Sequence, residues 1–115
     1  LSPEYVELLK NDKFNVFYNA PCLIYIVGSQ AVHSLEIDCA LMASYIMFAA
    51  ASRGLGTCWI GLGAYLRDPK LKAELGIPEG CRIVAPLIIG YPKEIPAPSP
   101  RNAPNVLRVI SQAKG

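Results

Sequence analysis

Two stretches of the chain are continuously apolar and rich in β-branched residues. "APCLIYIVG" (Ala20 to Gly28) and "CRIVAPLIIGYP" (Cys81 to Pro92) both read as buried strands. Pro86 lies inside the second run and predicts an edge position, a bulge or a local break in pairing. Between them, "CALMASYIMFAAAS" is apolar nearly all round at helical spacing. Ser34 is read as the cap of this helix, with Glu36 and Asp38 at its positive end, Arg53 in its last turn and Gly54 just beyond. A helix without a polar face must be covered on most sides.

The shorter signals complete a coarse map. Ser2-Pro3-Glu4 opens a short helix ending near Asn11, and "DPKLKAEL" (Asp68 to Leu75) carries Asp as N-cap, Pro at the first helical position and Gly76 after the end. "TCWIGLG" (Thr57 to Gly63) is a short extended segment. Five prolines between Pro92 and Pro104 predict a semi-rigid extended arm over 92–104, with Asn105 to Lys114 read as a terminal helix. Strands separated by helices give an α/β or α+β order. Two strong strands are too few for an independent doubly wound sheet, so further strands come from elsewhere or the domain is incomplete.

Composition narrows the picture. The 115 residues make one domain, yet 52% are hydrophobic and only 17% charged, more apolar surface than one small core hides. An oligomer interface or a missing partner segment is therefore expected. Net charge is +2 with the basic residues scattered, which argues against nucleic acid. The central apolar run is read as a buried core helix too short to span a bilayer, so no membrane anchor is expected. Four widely spaced cysteines and a single histidine, His33, argue against a metal site and for free thiols in a reducing cytoplasm.

Candidate chemistry centres on "GLGTCWIG" (Gly54 to Gly61). Its glycines do not match GxGxxG and follow a helix rather than a strand, so the dinucleotide fingerprint fails; Gly54 is read as a helix C-cap and Gly56 as a tight turn. Gly61 differs, because after Trp59 and Ile60 on an extended segment its missing side chain lets a flat ligand approach the backbone. Trp59 reads either as core or as the wall of such a site. No Cys/His pair, nucleophile elbow or free acid pair is present, so an enzyme built on this chain leaves its chemistry to a cofactor. Arg101, in the arm, reads either as a phosphate or carboxylate partner or as a solvated surface arginine.

The order "NAPCLIYIVG", "DCALMASYIMFAAASRGLGTCWIG", "LKAELGIPEG", "IGYPKEIPAPSPR" resembles the C-terminal part of the nitroreductase family of FMN-dependent oxidoreductases, over roughly Phe17 to Arg101. The resemblance implies an α+β sandwich, here a partial domain with few strands and a long buried central helix, forming an intertwined homodimer with FMN at the subunit interface. It also implies reduction of FMN by NADH or NADPH, then of nitroaromatics, quinones or similar acceptors, in a ping-pong cycle. By position, Trp59, Ile60, Gly61 and Leu62 resemble the segment against one isoalloxazine face, whose backbone N–H groups point at N5 and O4. Arg101 resembles the residue that pairs with the FMN phosphate.

Two departures accompany the resemblance. The family's Arg-rich N-terminal motif is absent, and Ser99 stands where many relatives place a lysine, so about half of the cofactor site is expected from a missing N-terminal segment or a ferredoxin-type domain. The chain alone is expected to bind FMN weakly or not at all. The alternative is a non-catalytic dimerisation or flavin-storage module with the same fold.

Overall fold

The computed structural model of the chain describes residues 2–11 and 15–112. In chain order the elements are α1 (Pro3–Leu9), β1 (Cys22–Ser29), α2 (Leu35–Ser52), β2 (Gly56–Trp59), a 310 turn (Gly61–Ala64), α3 (Pro69–Glu74) and β3 (Cys81–Gly90). The three strands form one antiparallel sheet in the order β1-β3-β2, with α2 packed on one face, an α+β arrangement. β2 is the short extended segment expected after the long helix, but it begins one residue before "TCWIGLG" and stops at Trp59, because Gly61–Ala64 close into the 310 turn.

Register fixes what each face carries. Ile24 pairs with Leu87 and Ile26 with Ala85, and these residues meet Leu35, Cys39 and Ala43 of α2 in the core. A bulge follows Ile26, since Val27 pairs with Ile83 and leaves Val84 as an extra residue on β3. The added residue turns Val84 toward the core beside Ala85. Pro86 sits next to this bulge, but on the central strand, so the expected edge position is not what the fold uses.

The ends of the helices follow local chemistry. Gly54 (φ +76°) closes α2 with a Schellman pair, its N–H donating to Ala51 O at 3.1 Å and Leu55 N–H to Ala50 O at 3.0 Å. Gly76 (φ +74°) ends α3 in the same way, through Gly76 N–H to Ala73 O and Ile77 N–H to Lys72 O, both 3.0 Å. The Asp68 carboxylate accepts the Lys70 N–H at 2.9 Å, the expected N-cap. Ser34 departs from its expected role: its hydroxyl bonds the Asp38 carboxylate at 2.9 Å and makes no cap to the backbone. Gly56 also departs, since it begins β2 with no positive φ; Gly54 alone makes the left-handed turn.

α2 has two apolar faces with different fates. Leu35, Cys39 and Ala43 are buried against the sheet and Ala50 is buried near the helix end, whereas Ile37, Leu41, Met42, Tyr45 and Phe48 are exposed, the last two to 77%. By length and composition alone this helix is long enough to cross a membrane, which corrects the reading of it as too short; nonetheless one stripe of it is committed to the sheet.

Beyond β3 the chain is an extended, exposed arm without helix or strand through residue 112. The terminal helix read over Asn105 to Lys114 does not form across 105–112, and its last two positions lie outside the described residues. Val106, Leu107, Val109 and Ile110 are exposed there, so no apolar surface of the chain itself folds this segment into a helix.

These two features set the overall dimensions. The radius of gyration is 18.7 Å, where a compact chain of this length has about 13 Å. The accessible surface is 9790 Å² for 12.5 kDa, about 3,600 Å² more than the roughly 6,200 Å² of a compact monomer of that mass.

Candidate functional site

The segment Trp59 to Leu62 lies where β2 stops pairing. Trp59 is the last residue of β2, opposite Leu87, and the register puts its side chain on the sheet face that α2 covers. It remains 38% exposed at the sheet edge. Ile60 is buried and donates its N–H to Pro86 O at 2.9 Å. The Ile60 carbonyl then accepts the Gly63 N–H at 3.0 Å, which opens the 310 turn.

This exchange leaves the N–H groups of Gly61 and Leu62 without a backbone acceptor among the described residues. A Cβ added at Gly61 would meet nothing within 4 Å, so the backbone there faces open space. Two consecutive donors without a backbone acceptor, the first on backbone that faces open space and both following Trp59 in the chain, suit a flat heterocycle with ring acceptors.

Behind the turn the packing is tight. A Cβ at Gly63 would lie 2.5 Å from Phe17 Cε1 and 3.1 Å from Pro86 Cβ. Phe17 meets Tyr25 edge-on, with centroids 6.1 Å apart at 73°, and burial pushes the Tyr25 phenol above its ordinary pKa.

Phe17 is held by a strained turn. Tyr18 and Asn19 both have positive φ (54° and 55°), closed by the Ala20 N–H to Phe17 O at 3.0 Å. A bulky residue in the left-handed region costs about 1–3 kcal/mol. Asn15 offsets part of that cost, its side chain accepting the Phe17 N–H at 2.9 Å and donating to Asn19 Oδ1 at 2.8 Å. Phe17, Gly63 and Pro86 support the turn, and the spacing of residues along the chain does not mark them as site residues. Only Pro86 left a signal in the sequence, as a break in a strand.

Arg101 is placed differently. It lies on the exposed arm, and no hydrogen bond or ion pair among the described residues joins it to residues 59–62. The arm touches the domain at its base, where a Cβ at Gly56 would sit 3.4 Å from Pro92 Cβ. A largely apolar cleft of about 260 Å³ opens there, lined by Ala51, Leu55, Gly56, Pro92 and Ile95 among others.

Elsewhere the chemistry is sparse. No group of three potential metal-ligating side chains occurs among the described residues. The four cysteines are free thiols. Cys39 is raised in pKa by burial first and by the Asp38 charge second. Arg82 pairs with Glu36 at 2.6 Å across the start of α2, an exposed contact.

Comparison with known proteins gives the fold and the family. A protein of Archaeoglobus fulgidus, with the provisional name NADH dehydrogenase/NAD(P)H nitroreductase, is 38% identical over 60 residues, which are 50% of this chain and 33% of that protein. A nitroreductase from Bacteroides fragilis, solved with bound FMN, superposes with a TM-score of 0.76 at 24% identity, over 96% of this chain and 62% of that one. A nitroreductase from Desulfitobacterium hafniense, also with bound FMN, gives 0.73 at 22% identity, over 93% and 60%. At such identities the two structures establish the fold, and this chain spans about three-fifths of their length and a third of the curated relative's. The model of the nitroreductase family matches residues 4–91, taking in Trp59 to Leu62 and ending before Arg101. With the fold and most of its length matched, the chain belongs to the nitroreductase family.

Proposed function

We propose that this chain supplies one wall of the FMN site of a flavin-dependent oxidoreductase. The observation that carries the reading is the bare, unpaired backbone at Gly61 and Leu62 beside Trp59, inside the segment that the family model matches. FMN, when bound, supplies the electron chemistry, taking reducing equivalents from NADH or NADPH for a nitroaromatic, quinone or similar acceptor in a ping-pong cycle. The residues' own part is to bind and orient. Trp59 presents an apolar edge to the ring system, Ile60 holds the segment at the ring through its own hydrogen bond to Pro86 O, and the Gly61 and Leu62 N–H groups donate to the ring's acceptors. Donors fixed before the ligand arrives favour the more electron-rich ring without reorganisation. Arg101 is assigned to the phosphate, as a guanidinium suits bidentate contact with its oxygens.

A homodimer completes the reading. Large apolar side chains are exposed on the outer face of α2 and on the arm, and the surplus surface of each chain exceeds the roughly 1,000–2,500 Å² that one partner contributes to an obligate dimer. The domain is read as partial, the remaining cofactor contacts coming from an N-terminal segment or a ferredoxin-type domain, in the cytoplasm. The same surplus surface favours a second reading, a dimerisation or flavin-storage module without turnover.

Spectroscopic FMN titration followed by NADH or NADPH separates the two. Yellow protein bleached by the nucleotide supports the oxidoreductase, a colourless stable dimer supports the module, and weak FMN uptake by this chain alone is the expected result. Stoichiometric FMN with nucleotide oxidation from the 115 residues by themselves would show that no further segment is needed.

A further inference from the structure

Pro86 stands in the middle of the central strand, where a residue without an N–H is ordinarily excluded. Its side chain is fully buried. In an antiparallel ladder the N and C=O of one residue face the same neighbouring strand. Because Ile60 donates to Pro86 O, the Pro86 nitrogen also faces β2. Tyr25, its partner on β1, therefore belongs to a pair that exchanges no hydrogen bonds, and β1 loses nothing.

The loss falls on the Ile60 carbonyl. With an N–H at position 86 that carbonyl would accept it, and the β2–β3 ladder would continue past Trp59. With proline there, the carbonyl is taken instead by the Gly63 N–H at 3.0 Å, and the chain turns.

We infer that Pro86 is a positioning residue: by withholding an N–H from the Ile60 carbonyl it produces the turn that leaves the Gly61 and Leu62 N–H groups free for the flavin ring. The turn itself stands on the hydrogen bonds; the ligand rests on the flavin reading given above. Gly63 and Phe17 make the switch sharp, since the turn can close only where residue 63 has no side chain against the Phe17 ring.

The test separates the N–H from the ring. The full chain is prepared with residue 86 as proline, as alanine or as N-methylalanine, the peptide from Cys81 onward being made synthetically and ligated at that cysteine. Alanine and N-methylalanine both lack the ring, and only alanine carries an N–H. Amide exchange of Gly63, read by NMR against Leu87 as a core reference, is expected to be about tenfold faster in the Pro86→Ala chain and proline-like in the N-methylalanine chain. Equal exchange in the two substituted chains, or parallel acceleration at Leu87, overturns the inference. An alanine chain that does not fold beside an N-methylalanine chain that does also overturns it, because the N–H would then govern folding and not the turn.

Added FMN is expected to shift the Gly61 and Leu62 amide signals in the proline and N-methylalanine chains and to shift them several-fold less in the alanine chain. NMR reads this even when binding is weak. If Gly63 follows the N–H as expected but FMN moves no amide of residues 59–62 in any chain, the turn assignment holds and the flavin reading is what fails, taking the ligand half of the inference with it.

Discussion

The two parts of the proposed cofactor site are built in opposite ways. Trp59 to Leu62 hang from the central strand, fixed by the Ile60 hydrogen bond and by packing behind Gly63. Arg101 rides on an exposed arm that meets its own domain at its base, around Pro92 and Ile95. The first part offers backbone donors, whose directions are settled as soon as the sheet forms. The second offers a charge, whose position depends on whatever body the arm lies against. On the proposed reading, the backbone half of the site is preorganised by this chain and the charged half is not.

That contrast can be broken at the sheet first. Leu87 is fully buried, so Leu87→Ala should lower unfolding free energy by about 2–5 kcal/mol in denaturant titrations. It should also disturb the NMR signals of residues 59–63 while leaving those of 97–112 unchanged; an equal disturbance of the arm would show that the arm belongs to the same folded body.

Gly63→Ala tests the turn more locally. Its methyl group would overlap the Phe17 ring, a cost of about 1–3 kcal/mol. Combining it with Phe17→Ala should restore the Gly61 and Leu62 amide signals even though Phe17→Ala is itself destabilising. A double substitution whose amide signals stay displaced would place the constraint elsewhere.

On the dependent side, Tyr45→Ser with Phe48→Ser removes large apolar groups from the outer face of α2. Self-association followed by sedimentation should weaken at least about tenfold, or about 1.4 kcal/mol. Arg101→Ala should change stability by no more than about 0.5 kcal/mol. It should nevertheless weaken FMN binding about tenfold in any form of the protein that holds FMN, and unchanged affinity would remove Arg101 from the site. The smallest effect concerns pH. Burial holds the Cys39 thiol above its ordinary value of 9.0, so the folded state resists ionisation that the unfolded state permits. Stability should be full below pH 9.0 and fall as pH rises beyond it, and Cys39→Ala should flatten that decline.

The outer face of α2 shows why legibility was uneven. An all-apolar helix announced that it needed covering, and the chain covers one stripe of it. Nothing in the spacing distinguishes the stripe that meets β1 and β3 from the stripe left exposed, because Leu, Ile and Met serve either surface. Pro86 gave the opposite lesson. Its disturbance of pairing was visible, but among edge, bulge and break only the sheet order could choose, since the direction of a missing N–H depends on which strand lies beside it.

The sequence by itself determined the local events: both strong strands, the long helix, the glycine ends at Gly54 and Gly76, and the Asp68 cap. Each depends on neighbours within a few residues, where backbone sterics and short hydrogen bonds decide. The ordered motifs also carried the family. Only the tertiary structure decided that Ser34 bonds Asp38, that Gly56 begins a strand, and that 105–112 stays extended. It also put Phe17 under Gly63 and set the Ile60 carbonyl against a proline, leaving two N–H groups bare at the end of β2. These outcomes are pairings between distant residues, and pairing energies are absent from any local window of sequence.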